Sequence, residues 1–357
     1  MTNQYRILVI NPGSTSTKVA LYENDKEIWK ETISYRKEQL SHFDNILDQI
    51  ELREQDIYRL IKKKQVQISD LNAVVGRGGP FKPLQSGTYR ISEQVLKDVR
   101  DGKVQAEHIS NIGVLLAYDL AKKADLPSFF VDPVSVDEFK PIARISGIPE
   151  LERKSLLHAL NVKATAHNAA KKMGKSLDSL NLIIAHLGGG ISICPLQKGN
   201  IIDVNNANEE GPFSPERAGT LPVSSLLKLC FSGKYTYEKL KKRLVGHGGL
   251  TAYLGTSDLQ EINKTIKKGN KEAALIRKAM IYQISKEIGA MATVLKGNVD
   301  AILLTGGVAY DKNVTQGITE RVSFIAPVHL YPGESEMKSL AQGVMRILKG
   351  EEEALEY

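Results

Sequence analysis

Cysteine is scarce in this 357-residue chain, with Cys194 and Cys230 the only two. Two thiols do not make a disulfide framework, and they point to a reducing, cytoplasmic setting. No apolar run approaches the roughly 20 residues that span a bilayer. The opening Met1-Thr2-Asn3-Gln4-Tyr5-Arg6 shows no signal-peptide pattern. The sequons at Asn263 and Asn313 are therefore read as chance matches. Metal spacing of the His-Glu-x-x-His or Cys-x-x-Cys kind is missing, which argues against a catalytic zinc. No Gly-x-x-x-x-Gly-Lys-[Ser/Thr], Gly-x-Gly-x-x-Gly or Gly-x-Ser-x-Gly occurs. P-loop, dinucleotide, protein-kinase and serine-hydrolase signatures are thus excluded. The net charge is +7, but the longest basic run is Lys62-Lys63-Lys64 at the end of an amphipathic stretch. Without an aromatic-interleaved basic patch, nucleic acid is not an expected partner. The excess of cations fits anionic small substrates.

What is present suits a globular α/β enzyme. Hydrophobic residues make up 42% and charged residues 25%, and the length exceeds what one core usually fills, about 250–300 residues. A coarse repetition divides the chain. Ile7-Leu8-Val9-Ile10 runs into the polar turn Asn11-Pro12-Gly13-Ser14, and a second strand-like stretch, Lys18 to Tyr22, follows. Leu182-Ile183-Ile184-Ala185 runs likewise into His186-Leu187-Gly188-Gly189-Gly190, followed by Ile191 to Cys194. Two β-hairpins at matching places predict two similar α/β halves. Ser41 with Asp44 reads as a capping-box start for a helix bearing Phe43, Ile46, Leu47 and Ile50. Met280, Ile284, Ile288, Met291 and Leu295 form a longer stripe closed by Gly297.

Five segments can carry chemistry. In Asn11 to Lys18, backbone N–H groups and hydroxyls can hold phosphate oxygens, and Lys18 adds charge. Gly188-Gly189-Gly190 after His186, and Gly306-Gly307 after the apolar run Ala301 to Leu304, repeat the strand-then-glycine arrangement. Arg217 lies in the loop-rich stretch Asp203 to Pro222, with prolines and glycines fixing the backbone, and is the kind of group that stabilises a transferring phosphoryl. Asp132 ends the apolar run Phe129-Phe130-Val131, where α/β sites are built. His158 and His186 are the better-placed histidines. His42, His108, His167 and His329 lack supporting context and are expected to be structural.

In this order the segments resemble the acetate/butyrate kinase family of the actin-like ATPase and sugar kinase superfamily, over essentially the whole chain. Asn11-Pro12-Gly13-Ser14-Thr15-Ser16-Thr17-Lys18, Asp203-Val204-Asn205-Asn206 leading to Gly211-Pro212-Phe213-Ser214-Pro215-Glu216-Arg217, and Gly248-Gly249-Leu250-Thr251-Ala252-Tyr253-Leu254-Gly255-Thr256-Ser257-Asp258 are similar to the butyrate-specific branch. The resemblance implies two actin-like (ribonuclease H-like) domains, 1–149 with about 337–357 and 150–336, with a nucleotide cleft between them. It implies direct in-line transfer from ATP to a short-chain acid, butyrate first, with branched acids, propionate or acetate as alternatives. A nucleotide-driven binding protein of the actin/chaperone type is the distant one.

By the same resemblance, Arg217, Asp132 and His158 are catalytic. Asn11, Ser14, Ser16, Lys18, His186, Gly188, Gly189, Gly190, Gly306 and Gly307 bind phosphate or nucleotide. Asp132 and Glu336 serve Mg²⁺ carried with ATP or ADP, with Glu334 the neighbouring alternative. The partners implied are small molecules and further copies of the chain, a homodimer or larger, with no nucleic acid or membrane. The acetate kinase phosphate loop carries an Asn where Gly189 stands. Its substrate arginine falls on Val74, with Arg77 as the nearby replacement. Its aromatic before the active-site histidine is Leu157 here. Its pocket valine falls on Gly76, which is expected to widen the acid pocket.

Overall fold

A computed structural model describes residues 4–357; Met1, Thr2 and Asn3, part of the segment read for an export signal, lie outside them. The chain divides into two compact units. The first runs through Asp137 and takes in Ser335–Tyr357, and the second is Glu138–Glu334. The sequence expectation put the change at 149. The segment after Asp137 instead bonds within the second unit, through Lys140 N–H to Ile202 O and through Ile201 N–H to the Glu138 carboxylate.

The first unit is built on six strands, β1 (Arg6–Gly13), β2 (Ser16–Glu23), β3 (Lys26–Ser34), β4 (Ala73–Arg77), β5 (Thr88–Arg90) and β6 (Ser128–Val131), in the order β3-β2-β1-β4-β6-β5. Ile7, Leu8, Val9 and Ile10 are all fully buried, because β1 is central and covered on both faces. β1–β2 and β2–β3 pair antiparallel, β1–β4 and β4–β6 parallel. The second unit has β7 (Asn181–Leu187), β8 (Ile191–Gln197), β9 (Asn200–Ile201), β10 (Ala301–Gly306) and β11 (Val328–Pro332), ordered β11-β10-β7-β8-β9. Reversed, that is the first unit's order without its antiparallel edge strand β5. The senses match as well, two antiparallel pairs followed by two parallel ones. The repetition read from two hairpins therefore extends to the whole sheet.

The helices meet the expectations unevenly. Lys271–Val294 buries Met280, Ile284, Ile288 and Met291, and Gly297 follows with positive φ. The helix expected from Ser41 instead begins at Ile50 and runs to Lys63, burying Arg53, Ile57 and Ile61. An arginine occupies the first position of that i, i+4, i+8 stripe, so the face reads as polar in the sequence. The last helix, Glu336–Leu348, belongs to the first unit.

Candidate active-site residues of the two units

In the first unit the ends of β1 and β4 meet the start of the last helix. Asn11 Nδ2 donates to Glu336 Oε2 at 2.9 Å. Arg77 Nη1 lies 3.3 Å from Glu336 Oε1, near enough for an ion pair but poorly aligned for a hydrogen bond. Two sequence-predicted residues thus flank the carboxylate of a third. Ser14 and Thr15 form the tip of the β1–β2 turn, with Ser16 and Lys18 on β2. Behind that turn sits a residue the sequence reading missed, the fully buried Arg53.

Asp132 follows β6 and is 4% exposed. Its φ is +38°, a left-handed value that costs a non-glycine residue of order 1–3 kcal/mol. Two reciprocal bonds fix it there: Gly87 N–H to Oδ1 at 2.8 Å, and Asp132 N–H to Gly87 O at 3.0 Å. Strain at a buried carboxylate marks a residue worth testing. Asp132→Asn keeps the shape and one acceptor oxygen, so the fold should survive while kcat falls at least about 100-fold, the scale of a lost charged stabiliser. A variant of lowered melting temperature with full kcat would make Asp132 a turn anchor only.

His108, expected to be structural, caps a turn. Its Nδ1 bonds Ser110 Oγ at 2.7 Å and accepts from Ser110 N–H. Part of its ring is open to solvent. Partial burial and the Arg77 guanidinium nevertheless hold its pKa below the ordinary value.

Gly76 requires a correction. A Cβ there would sit inside the van der Waals shell of the Gly113 carbonyl oxygen, 2.6 Å from the carbonyl carbon and 3.1 Å from Ala117 Cβ. The side-chain direction of Gly76 therefore faces the helix Ile112–Lys122. No acid pocket is widened by the missing isopropyl group.

In the second unit the residues after β7 and β10 converge. His158 and His186 stack with ring centroids 3.9 Å apart and planes 12° from parallel. His158 Nδ1 bonds Ser192 Oγ at 3.0 Å. Asn161 Nδ2 donates to His186 Nδ1 at 2.8 Å and to Thr305 Oγ1 at 3.1 Å. With Nδ1 an acceptor, neutral His186 carries its proton on Nε2, which lies 3.1 Å from Glu334 Oε1 but off a hydrogen-bonding line. The two candidate glutamates thus separate, Glu334 beside His186 and Glu336 beside Asn11.

The loop Gly188–Gly190 is tied to the arginine loop. Gly189 O accepts from Ser214 Oγ and from Glu216 N–H. Holding that carbonyl points the Gly190 N–H the opposite way, since the two are antiparallel in a trans peptide. Backbone therefore offers a donor at this turn. Arg217 lies on Gly190: a Cβ there would come within 2.9 Å of its Nε and closer to Cζ and Nη1. Its pKa is lowered by burial, with Glu216 acting the other way, and among the described residues it makes no ion pair. Gly188, Gly189 and Gly307 border a cavity of about 570 Å³, within the range of small-molecule sites. Gly306 closes a bridge to Gly333 beside it.

The architecture is that of an acetate kinase. A solved acetate kinase from Porphyromonas gingivalis superposes with a TM-score of 0.80 at 19% identity, covering 96% of this chain and 100% of that one. At that identity the likeness speaks for the fold alone. Residues 151–330 match the model of the Acetokinase family. Butyrate kinase 1 of Clostridium acetobutylicum is 48% identical over 354 residues, 99% of both chains. Probable butyrate kinase 2 of Caldanaerobacter subterraneus is 50% identical over 348 residues, 98% of both. The chain belongs to the acetokinase family, as its segments suggested. Among the described residues no helix is long and apolar enough to cross a membrane.

Proposed function

We propose that this chain transfers the γ-phosphoryl of ATP reversibly and directly to the carboxylate of a short-chain acid, with butyrate preferred. The full-length likeness to two butyrate kinases carries the reading, and the side chains described above supply a chemistry for it. A short-chain acid is ionised at neutral pH, so no general base is needed. Catalysis is then positioning and electrostatic stabilisation. Arg77 offers the acid a guanidinium. The turn Ser14 to Lys18 offers phosphate oxygens amides, hydroxyls and an ammonium. Arg217 and the Gly190 amide offset charge on the transferring group, and His158 is held toward it by Ser192. The cavity bordered by Gly307 takes the nucleoside.

Magnesium fits the donor set in one manner. Among the described residues no cluster of three or more His, Cys, Asp or Glu could hold a metal. That favours an ion arriving on the nucleotide and keeping waters, with one or two carboxylates beside it. Asp132 and Glu336 are the carboxylates that would hold it, directly or through water. When bound, the ion neutralises charge on the nucleotide phosphates.

Acyl phosphate trapped with hydroxylamine over a panel of acids tests the reading. The highest kcat/KM is expected for butyrate, with propionate, branched acids and acetate below it. A peak at acetate would make the chain an acetate kinase. ATP turnover without hydroxamate from any acid would move it to the actin and chaperone class.

A further inference from the structure

The most unusual polar group of the first unit lies outside every segment singled out in the sequence. Arg53 on the helix Ile50–Lys63 is fully buried, yet among the described residues no carboxylate bonds to it. Its guanidinium is spent on the turn between β1 and β2. Nη1 donates to Gly13 O at 3.1 Å, Ser16 O at 3.0 Å and Thr17 Oγ1 at 2.8 Å, and Nη2 to Ser14 O at 3.3 Å. Gln49 Oε1 accepts from Nη2 and Nε on the other side. The Tyr35 ring lies beneath, 4.6 Å from Cζ.

These bonds dictate where the turn's amides face. A trans peptide sets its N–H opposite its C=O. With the Gly13 and Ser14 carbonyls drawn down onto Arg53, the Ser14 and Thr15 N–H groups point away from it. Neither amide has a partner among the described residues. Successive free N–H groups in a turn make an anion-binding concavity. The buried guanidinium beneath adds positive charge that no acidic side chain cancels. We propose that Arg53 is the positioning residue of the phosphate turn: it aims the Ser14 and Thr15 amides at a phosphate group and supplies a fixed charge behind them. The proposal rests on the reading that this turn takes phosphate.

A buried charge without an anionic partner is costly to keep. A purely structural brace would be served as well by a neutral hydrogen-bonding side chain. The turn is instead held by the one side chain with five donors in a rigid fork, next to a sequence already rich in hydroxyls. That combination suits a site that must be rigid and positive before its ligand arrives.

Arg53→Met removes fork and charge at similar length, and Arg53→Lys keeps the charge alone. Misplacing a reacting group by about 1 Å costs on the order of 100-fold. Arg53→Met should therefore lower kcat/KM for ATP by roughly that factor. The KM for the acid and the affinity for adenosine, measured by calorimetry, should stay within about twofold. Arg53→Lys should lose at least about tenfold, and ethylguanidinium should restore part of the loss in Arg53→Met. Should Arg53→Met fail to fold, Arg53→Lys carries the same comparison. Either folded variant with kcat/KM for ATP within twofold of the parent overturns the proposal. So does a rise in acid KM alongside a parallel fall in adenosine affinity and ATP kinetics, which marks a general structural role. Lys18→Ala separates the two levels: if it too is harmless, the phosphate reading of the turn fails. If it is damaging while Arg53→Lys is not, only the role of Arg53 fails.

Discussion

Arg217→Ala is expected to lower kcat by at least about 100-fold in a protein that still folds. Removing one pre-organised group at a developing charge typically costs 10²–10³-fold, about 2.7–4 kcal/mol. The arrangement in the second unit meets the conditions for that cost. The guanidinium has no ion pair to break among the described residues, so its charge is available to a ligand. Its backbone is fixed independently of its side chain, by Ser214 N–H to Arg217 O and Arg217 N–H to Ser214 Oγ, both 3.0 Å. Circular dichroism and melting temperature should therefore change little. Arg217→Lys should recover only part of kcat, because a point charge replaces a planar fork. Gly190→Ala should resemble Arg217→Ala without touching the arginine, since its Cβ would occupy the guanidinium's place. A folded Arg217→Ala enzyme with near-parental turnover would remove Arg217 from the chemistry.

Much of this arrangement was legible because it is local. A buried strand, a polar turn and a second strand are contiguous in sequence, so both hairpins could be read directly, and the matching order of five strands in each sheet follows the same repetition. Asn11, Asp132 and Gly188–Gly190 all stand at strand ends, where period and turn chemistry locate them. What was not legible depends on partners far away in the chain. Asn161 gains meaning from His186 and Thr305. Arg53 gains it from carbonyls about 37–40 positions earlier. No local pattern distinguishes a buried arginine aimed at a turn from one on a solvated face. The mistaken helix start has the same cause. The true inward face begins with that arginine, so an apolar count favours the stretch before it.

Gly76→Val is expected to damage the enzyme for every acid alike rather than turn it toward acetate. By resemblance Gly76 falls on the family's pocket valine, where a lost isopropyl group would make room for about two methylenes. At roughly 0.8 kcal/mol each, that is about 1.6 kcal/mol, near 15-fold in selectivity. The structure assigns the position to a different contact. β4 runs between β1 and β6, with Gly76 opposite Ile10 and Phe130, and the face that would carry its side chain lies on the helix backbone at Gly113. The contact is reciprocal, for a Cβ on Gly113 would strike the Arg77 carbonyl oxygen and lie 3.1 Å from Arg77 N. Neither glycine can gain a methyl group unless strand and helix part. Overpacking a core by a methylene costs typically 1–3 kcal/mol, and here the obstacle is backbone, which yields less than a side chain. Gly76→Ala should thus lose about 3 kcal/mol, and Gly76→Val more, against a whole-domain stability of about 5–15 kcal/mol. Gly113→Ala should lose as much, and that separates the two explanations, since Gly113 was never a candidate for the acid pocket. The measurement is chemical denaturation of Gly76→Ala and Gly113→Ala, with the butyrate-to-acetate ratio of kcat/KM taken on the folded protein. The ratio should stay within about twofold in both while the denaturation midpoint falls. A Gly76→Ala enzyme of parental stability whose ratio moves several-fold toward acetate would return Gly76 to the pocket.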